Sequence, residues 1–396
     1  MNAHSKKNNT TLVFTAVSLI ASALAVDASP LVSYGEQLDV RFKGTSNLAW
    51  QSNLFSDADD EIEDFLLTVS PGFDFNFGRG VSNADLSVET RVDVLRYDES
   101  HAWDTETFHI KAFGDYSAAR YDLKASLSFD ETQSSLPDKG TVVKGKLSES
   151  DRTKFSLSGE YELSPKFSFG AALDVSDRKY TGETAANYAN SVVTAVPLDF
   201  FYELTPKLDL SVGYKYTNRD IDSIGGGNGA HESVTHFLSV GARGDLLPKL
   251  SGSIKFGFSR LDSDYQSQAD RDDSGLGVDA NLNWTASPKL SHNLALARDF
   301  GSTSNGTRIE ESSVNIRTQY TISDRWTSTA SLGYTLREYM DESRDDAYAT
   351  LGLRANYSPS EYWSFGGGYA FSDNDSDAAA SNFNNHKIDI SASLRY

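Results

Sequence analysis

The chain has 396 residues, and its 36 basic and 56 acidic side chains give a formal net charge of −20. That acidity excludes a nucleic-acid binder held by a basic footprint. Hydrophobic residues make up 39% and the mean hydropathy is −0.43, which excludes a helical membrane protein because each helical span needs about 20 consecutive apolar residues. A transmembrane β-barrel remains open, since its strands need only every second residue to be apolar.

The first 25 residues predict a secretory signal peptide. Lys6 and Lys7 precede an apolar stretch at 12–26 that contains the small-residue site Ala23-Leu24-Ala25, and this order is typical of such signals. A transmembrane anchor is the weaker interpretation, because the apolar run has only about 15 residues and no stop-transfer charges follow it. We therefore assign residues 1–25 to a signal peptide, 26–36 to a short periplasmic N-terminal segment and 37–396 to the mature domain.

A short turn sequence recurs along the mature chain at intervals of about 40 residues. Its copies are Leu163-Ser164-Pro165-Lys166-Phe167, Leu204-Thr205-Pro206-Lys207-Leu208, Leu247-Pro248-Lys249-Leu250 and Ala286-Ser287-Pro288-Lys289-Leu290, with looser copies at 322–326 and 357–359. Proline presets the backbone for a tight turn and cannot sit inside a hydrogen-bonded ladder, so each copy predicts a turn between two strands. Stretches rich in Asp, Asn, Ser and Gly lie between the copies, so short turns alternate with long polar loops.

The segments between these turns and loops alternate with a period of two. From 208 to 217 one face carries Leu208, Leu210, Val212, Tyr214 and Tyr216, and the other carries Asp209, Ser211, Gly213, Lys215 and Thr217. A strand sorts residues onto two faces in this way, whereas a helix would scatter them around its circumference.

The alternation predicts about 18 strands, with 16 as the alternative. They span 37–50, 64–77, 83–97, 104–117, 121–132, 148–163, 167–180, 190–204, 208–219, 232–246, 250–262, 273–286, 290–300, 309–322, 326–340, 346–358, 362–373 and 384–396. An even number is required if both termini are periplasmic, and residues 133–147 are treated as one long loop to keep the short turns on one side.

Two architectures fit such strands, a soluble β-sandwich and a closed barrel in a membrane. Strand after strand is polar along one whole face, and no helices are predicted to cover the sheet. A sheet of about 18 strands is too wide to stay open, and closure removes its exposed edges. The sequence therefore predicts an all-β protein: a single closed antiparallel transmembrane β-barrel with short periplasmic turns, long acidic extracellular loops and apolar residues facing lipid.

Aromatic residues lie where the membrane boundaries are expected. One predicted girdle, near the short turns, comprises Tyr161, Phe167, Tyr202, Trp284, Trp326, Tyr357 and Trp363. The opposite girdle comprises Tyr97, Tyr180, Tyr216, Tyr339 and Phe371. The chain ends on Tyr396, similar to the terminal aromatic residue of bacterial outer-membrane barrels, through which we expect it to engage the barrel-assembly machinery.

The N-terminal strands resemble the putative beta-barrel porin 2 family, whose members are often associated with exosortase-type exopolysaccharide systems. The resemblance rests on Ser52-Asn53-Leu54-Phe55, Asp64-Phe65, Thr68-Val69-Ser70-Pro71-Gly72, Arg96-Tyr97 and the recurrent turns. Ser52 stands where an Asp is expected. The resemblance covers most of the mature chain and implies an outer-membrane barrel whose substrate is generally unassigned.

Few residues suggest catalysis or cofactor binding. Cysteine is absent, which excludes disulfides, thiolate metal sites and cysteine nucleophiles. The acidic stretch formed by Asp57, Asp59, Asp60, Glu61, Glu63 and Asp64 has a cation-binding interpretation, but a solvated loop is favoured. The seven histidines show no metal-ligand spacing, and no nucleophile stands beside an oriented base. We therefore expect no enzyme, no catalytic or metal-binding residue and no cofactor.

The polar faces of the strands carry the candidate site, a set of charged residues predicted to line an aqueous pore. They are Asp39, Arg41, Asp85, Glu89, Arg91, Asp93, Lys111, Asp115, Asp209, Lys215, Arg243, Asp245, Lys255, Asp279, Arg317, Arg337, Arg354, Asp389 and Arg395. Charges of both signs would create a transverse field that orders dipolar solutes. The loop 133–147 carries Asp138, Lys139, Lys144 and Lys146, and would narrow the pore if it folds inward or be plain surface if it points outward.

Three functions are weighed on this basis. The first is an outer-membrane porin for passive diffusion of small hydrophilic solutes. The second is a structural or export-associated barrel that serves extracellular polysaccharide or surface-protein assembly, and the third is an adhesin or cation-binding surface protein with acidic loops. The expected partners are outer-membrane lipid and lipopolysaccharide, the assembly machinery and small hydrophilic solutes, without nucleic acid. A homo-oligomer is compatible with the sequence, but no outward patch identifies its interface.

Overall fold

The structure is a computed structural model that describes residues 31–35, 38–78, 83–136, 143–224, 230–265 and 270–396. The predicted signal peptide, together with Asp138 and Lys139 of the predicted constriction loop, lies outside these residues. The described strands are β1 (Val32–Tyr34), β2 (Leu38–Gln51), β3 (Asp64–Phe77), β4 (Ala84–Tyr97), β5 (Thr105–Ser117), β6 (Tyr121–Ser134), β7 (Ser148–Ser164), β8 (Phe167–Thr181), β9 (Ser191–Thr205), β10 (Leu208–Ile221), β11 (His231–Leu247), β12 (Leu250–Tyr265), β13 (Arg271–Ser287), β14 (Leu290–Ser302), β15 (Arg308–Ser323), β16 (Trp326–Tyr339), β17 (Asp345–Tyr357), β18 (Trp363–Ser376) and β19 (Phe383–Arg395). Short 3-10 helices lie at His101–Trp103, Ala185–Asn187 and Ala379–Ser381.

Strands β2 to β19 form one closed antiparallel barrel. Each pairs with its neighbours in the chain, and β19 pairs with β2 to close the ring. At the periplasmic end Tyr396 and Phe42 exchange backbone hydrogen bonds of 2.8 and 2.7 Å. The predicted 18-stranded barrel is therefore confirmed over the 16-stranded alternative. Strand β1 is an addition that pairs with the first residues of β2.

The recurrent turns join strands at one end of the barrel, as predicted. In three of these turns the hydroxyl that precedes the proline accepts a hydrogen bond from the lysine N–H two residues later. The pairs are Ser164 with Lys166, Thr205 with Lys207 and Ser287 with Lys289, each at 3.3 Å. Such a local hydroxyl bond favours a turn over a continued ladder. The register of the adjoining ladders shifts beside these turns.

Apolar side chains face outward and polar ones inward. Leu210 and Val212 are exposed on the outer surface, together with Leu238 and Val240 of the next strand. Ser211, which lies between Leu210 and Val212 on β10, points to the opposite face and is buried. Among the described residues, no helix combines the length and apolar character needed to cross a membrane.

One of the two predicted aromatic girdles is partly wrong. Tyr161, Phe167, Tyr202, Trp284 and Trp326 are exposed on the outer surface near the short turns. Tyr97, Tyr180 and Tyr339, predicted to face lipid at the other boundary, are instead buried, with 5 to 7% exposure. Each tyrosine lies an even number of residues from an inward-facing charged residue of its own strand, as Tyr339 does from Arg337. The alternation of the strand therefore places its side chain inside the barrel. These rings pack against the loops at the extracellular end.

Candidate functional site

Charged side chains inside the barrel reach across strands that are not neighbours. Lys255 on β12 donates to Asp199 on β9 at 2.7 Å. Arg243 on β11 makes a two-pronged contact with Glu160 on β7 at 2.6 and 2.7 Å. Contacts over such separations require both side chains to point into the lumen. The inner face is therefore a connected network of ion pairs rather than a ring of isolated charges.

A glycine leaves space for one of these contacts, and an aromatic ring supports the other. A Cβ on Gly213 would lie 2.5 Å from the Asp199 carboxylate, so the glycine leaves space for the carboxylate that Lys255 reaches. The Arg243 guanidinium lies 3.4 Å from the centre of the Phe201 ring, a cation–π contact that supports its orientation. Phe201 is therefore an inward aromatic residue that orients a charged side chain.

A cavity of about 700 Å³, here called the wide cavity, lies along the inner face of β2 to β9. Its charged lining is balanced: Lys43, Arg91, Lys111 and Lys154 face Asp74, Glu89, Asp130 and Asp174. Lys43 contacts Asp74 at 2.5 Å and Glu89 at 3.5 Å. Serine and threonine hydroxyls fill the surface between the charges, so the lining suits water and polar solutes of either sign.

His109 sits between two carboxylates on the wall of the wide cavity. Its Nε2 lies 3.1 Å from Asp93 and its Nδ1 lies 3.0 Å from Asp130. A neutral imidazole carries one N–H and can donate to only one carboxylate, whereas the imidazolium donates to both. Asp93 also pairs with Arg91 at 3.0 Å, so His109 joins the Arg91–Asp93 pair to Asp130 on the neighbouring strand.

The extracellular end of β14 separates from β13, while β15 stays paired with β16 as far as Ile309. The ladder between β13 and β14 stops at Val278 and Arg298, although both strands continue beyond this pair. Residues 299–308, here called the inward hairpin, lie beyond the end of the β13–β14 ladder and approach β10 with Asp299 and Phe300. Asp299 accepts from Lys215 at 2.6 Å, and the Phe300 carbonyl accepts from Arg219 at 2.7 Å. The Arg219 contact reaches a backbone carbonyl four strands along the ring, so the end of β14 lies close to β10 on the luminal side.

The inward hairpin encloses a second cavity of about 280 Å³, here called the narrow cavity. One wall is formed by β7 to β10 and the other by β14 and β15. A backbone hydrogen bond of 2.7 Å from Ala189 to Ser304 joins the loops above it. Tyr188 packs on Tyr180 beside this bridge, with ring centres 4.8 Å apart, and burial, assisted by Tyr180, raises the pKa of Tyr188 to about 12.

An ion-pair hub supports the inward hairpin from behind. Asp341, in the loop after β16, accepts from Arg308 at 2.8 Å, from Arg271 at 2.5 Å and from Tyr265 at 3.0 Å. Burial raises the pKa of the Asp341 carboxyl, but hydrogen bonds and charge from Arg308 outweigh it and lower that pKa to about 2. The hub joins β12, β13 and β15 where the β13–β14 ladder is missing.

The acidic stretch and the family-like segment hold the loops between β2 and β5 together by hydrogen bonds. Asp64 accepts backbone hydrogen bonds from Phe65, Asp98, Glu99 and Ser100 at 2.7 to 3.2 Å. The Asn53 side chain donates to the Asp57 carbonyl at 2.8 Å. Within the described ranges, no three His, Cys, Asp or Glu side chains are grouped to hold a metal ion.

The described lysines of the predicted constriction loop contact neighbouring loops. Lys144 lies 3.2 Å from Asp60 and Lys146 lies 3.3 Å from Glu183. The hydrogen bond to Asp60, with the charges of Asp57 and Asp59, raises the pKa of the Lys144 ammonium. These pairs fix the end of the loop against its neighbours, while the inward hairpin occupies the lumen.

The structure brings several of the predicted lumen residues together. The pairs are Asp39 with Arg41, Arg91 with Asp93, Asp209 with Arg243 and Arg354 with Asp389. Four more predicted residues pair with residues outside the predicted set: Lys215 with Asp299, Asp245 with Lys207, Lys255 with Asp199, and Arg337 with Glu311. Glu89, Arg91 and Lys111 line the wide cavity. Asp85, Asp115, Asp279, Arg317 and Arg395 lie on β4, β5, β13, β15 and β19 away from both cavities.

The sequence analysis missed the residues of the narrow cavity. Arg152, Arg178 and Arg219 line it together with Asp299 and Glu311. Arg219 and Glu311 share the strand parity of the predicted lumen residues Lys215 and Arg317. Arg178 lies on the polar face of β8 with Asp174 and Ser176. A complete application of the alternation would therefore have included them. Their convergence depends on the inward hairpin, for which the sequence gives no local signal.

Comparison with known proteins adds a family and several similar folds. The model of the family described as putative beta-barrel porin 2 matches residues 43–396. The FrpB iron transporter from Neisseria meningitidis (F3-3 variant) aligns over 88% of this chain at 11% identity and a TM-score of 0.47, and the chain spans 64% of its length. The outer membrane protein opdK from Pseudomonas aeruginosa aligns over 90% of this chain and 99% of its own at 10% identity and a TM-score of 0.46. No curated protein matches the sequence.

Proposed function

Because the chain belongs to the putative beta-barrel porin 2 family and lies in the outer membrane, we propose that it is a channel through which small hydrophilic solutes diffuse passively. The observation that carries this proposal is the wide cavity, a polar space of about 700 Å³ inside a closed barrel. Its lining mixes hydroxyl groups with balanced charges, so a hydrated solute finds hydrogen-bond partners without one dominant binding group.

The size of the barrel supports an aqueous path. Eight strands give an interior that side chains fill, whereas barrels of about 16 to 18 strands leave an aqueous channel. The lumen here has 18 strands around it, and its exposed inner residues include Lys111 and Arg91. Solutes would move down their gradients, with no catalytic step and no energy coupling.

The inward hairpin supports a restriction to small solutes. It takes up part of the cross-section between β10 and β14, where Lys215 holds Asp299. The loops above it are joined by the Ala189 to Ser304 bond. A solute entering from outside would therefore pass beside this bridge rather than through a fully open mouth.

Planar-bilayer recording of the purified, folded protein tests the proposal. We expect stepwise current increments in KCl, and liposome swelling that falls as the test sugars grow from a pentose to a trisaccharide. An assembly-defective preparation, identified by loss of the heat-dependent gel mobility of folded barrels, is the control. Folded protein that gives no current steps and no sugar uptake would overturn the channel and favour a structural or export-associated barrel.

A further inference from the structure

We propose that the inward hairpin is a gate with two positions: the inward position of this structure, and a wall position in which residues 299–302 of β14 complete the ladder with residues 274–277 of β13. The ladder stops early at this point, although both strands continue past it. The effect of the gate on transport rests on the proposed channel function, whereas the two positions of β14 do not.

The extracellular ends of β13 and β14 each keep one edge that no ladder among the described strands uses. Residues 271–277 of β13 pair with β12, but pairing with β14 begins only at Val278. Residues 299–302 of β14 pair with β15 on their other side. A strand edge carries a row of backbone N–H and C=O groups and is a template for another strand. Each of the two edges can therefore receive the other.

The sequence of β14 fits the wall position. Extending the observed register by four pairs sets Gly277 opposite Asp299, Leu276 opposite Phe300, Gly275 opposite Gly301 and Ser274 opposite Ser302. Phe300 would then face outward beside Leu276, which is 69% exposed on the outer surface, and Asp299 would face the lumen. Beyond Arg298, β14 thus keeps the alternation of a wall strand.

The inward position places the hairpin over the inner face of the strands that it would rejoin. Arg308 lies 3.5 Å from Ser263 on β12 and 3.6 Å from Asp273 on β13. A Cβ on Gly275 would lie 3.6 Å from the end of the Phe300 ring, and Phe300 is buried. Phe300 therefore already lies against the residue next to its partner in the wall position.

Different interactions hold the two positions. The inward position has the ion pair between Lys215 and Asp299 and the hydrogen bond from Arg219 to the Phe300 carbonyl. The wall position would exchange these contacts for backbone ladder bonds and for packing of Phe300 beside Leu276. Because each position gains interactions that the other lacks, the two can lie close in free energy, as a two-position element requires.

The depth of the gap in the membrane allows both positions. The paired part of β13, residues 278–287, has about the 9 to 11 residues that a tilted strand needs to cross the hydrocarbon core. Residues 274–277 therefore lie at headgroup level on the extracellular side, where water can satisfy open backbone groups. Deeper in the bilayer an open edge would be too costly to persist.

Movement of the hairpin changes the cross-section of the lumen. In the inward position Ser302, Thr303 and Ser304 line the narrow cavity together with Ala189 and Ser191 of the facing wall. In the wall position the hairpin would withdraw toward β13, so the narrow cavity would open into the rest of the lumen. The gate thus sets how much of the extracellular mouth a solute can use.

Engineered disulfides test the two positions, because the chain has no cysteine of its own. Ser274→Cys with Ser302→Cys, the wall disulfide, joins residues that are opposite in the completed ladder, with Cα atoms about 4.5 to 5.5 Å apart and so within disulfide range. Ala189→Cys with Ser304→Cys, the inward disulfide, is the matched control, since the Ala189 N–H donates to the Ser304 carbonyl at 2.7 Å. We expect both disulfides to form in folded barrels, as checked by mass spectrometry and heat-dependent gel mobility.

Bilayer recording of the oxidised proteins measures the effect on the channel. Single-channel conductance should be about twofold higher with the wall disulfide than with the inward disulfide, and the difference should vanish on reduction. If the inward disulfide forms and the wall disulfide does not, β14 has one position and the gate is wrong. Equal conductance of the two oxidised proteins would also overturn the gate and retain the channel. No current in either protein, with both disulfides formed, would overturn the channel and retain the two positions of β14.

Gly275→Leu is an independent test without a crosslink. In the inward position the new side chain would collide with the Phe300 ring and the Glu310 carboxylate, which lie 3.6 and 3.1 Å from the place of its Cβ. In the wall position it would face the lumen. We expect the conductance of the folded variant to rise by about 1.5-fold or more, and an unchanged conductance would contradict the gate.

Discussion

The two cavities of the lumen are built from the same kind of strand but differ in charge and in wall structure. The wide cavity lies along consecutive, paired strands, and its Lys/Arg and Asp/Glu side chains are equal in number. The narrow cavity exists because the β13–β14 ladder ends early and the inward hairpin crosses toward β10. A regular wall thus gives a balanced polar surface, whereas the break in the wall brings strands from opposite sides of the lumen together around a second cavity.

The difference also concerns what holds each cavity in place. Backbone ladders fix the wall of the wide cavity, whereas side chains fix the inward hairpin. Asp341 behind the hairpin and Lys215 in front of it replace the missing ladder bonds. Changes to single side chains should therefore affect the narrow cavity more than the wide one.

The largest expected effect comes from the Asp341 hub. The pKa of Asp341, lowered to about 2, lies below the ordinary Asp value of about 3.9, so this carboxylate stabilises the folded state above pH 4. That stabilisation, about 2 kcal/mol, should be lost as the pH falls from about 4 through 2. The measurement is the free energy of urea unfolding of the detergent-solubilised barrel as a function of pH.

Asp341→Asn is the matched variant for this measurement. It should be less stable than the wild-type protein at pH 7, because Arg308, which is only 2% exposed, loses its nearer charged partner and keeps only Asp273 at 3.6 Å. It should also lack the part of the acid dependence that Asp341 supplies. If the free energy of unfolding falls equally steeply between pH 4 and pH 2 in the wild-type protein and in Asp341→Asn, the hub does not hold the hairpin.

A second, smaller effect should follow release of the hairpin at its tip. Lys215→Ala removes the 2.6 Å contact to Asp299, so we expect the hairpin to lie less firmly against β10 and the single-channel conductance to rise roughly 1.5-fold as the constriction widens. Lys255→Ala is the control, because it breaks the ion pair to Asp199 outside both cavities. If the two variants change conductance equally, the hairpin is not the constriction.

The smallest effect is expected in the wide cavity. Lys111→Gln removes one exposed cation from a balanced lining, and water screens such a charge. We expect the reversal potential in a KCl gradient to move by less than half of the shift that Arg178→Gln, which removes a cation from the narrow cavity, produces in the same measurement. A larger shift in Lys111→Gln would place ion selection in the wide cavity rather than in the narrow cavity.

Much of the fold could be predicted from the sequence because its signals are local. Alternation along each strand fixes which side chains share a face, and the Ser/Thr-Pro-Lys turns fix where each strand ends. The same alternation, applied to Tyr97 and Tyr339, would have placed both inside. They were assigned to a lipid boundary from their position along the strand, which is weaker information than parity.

The sequence by itself determined the outer-membrane barrel, its strands, its turns and its polar inner face, since each of these depends on residues a few positions apart. Only the tertiary structure decided that β13 and β14 separate, and that Arg152, Arg178 and Arg219 converge on one cavity. Contacts across the lumen depend on the register of many ladders around a closed ring, and a shift in one ladder changes which side chains meet. No short stretch of sequence carries that information.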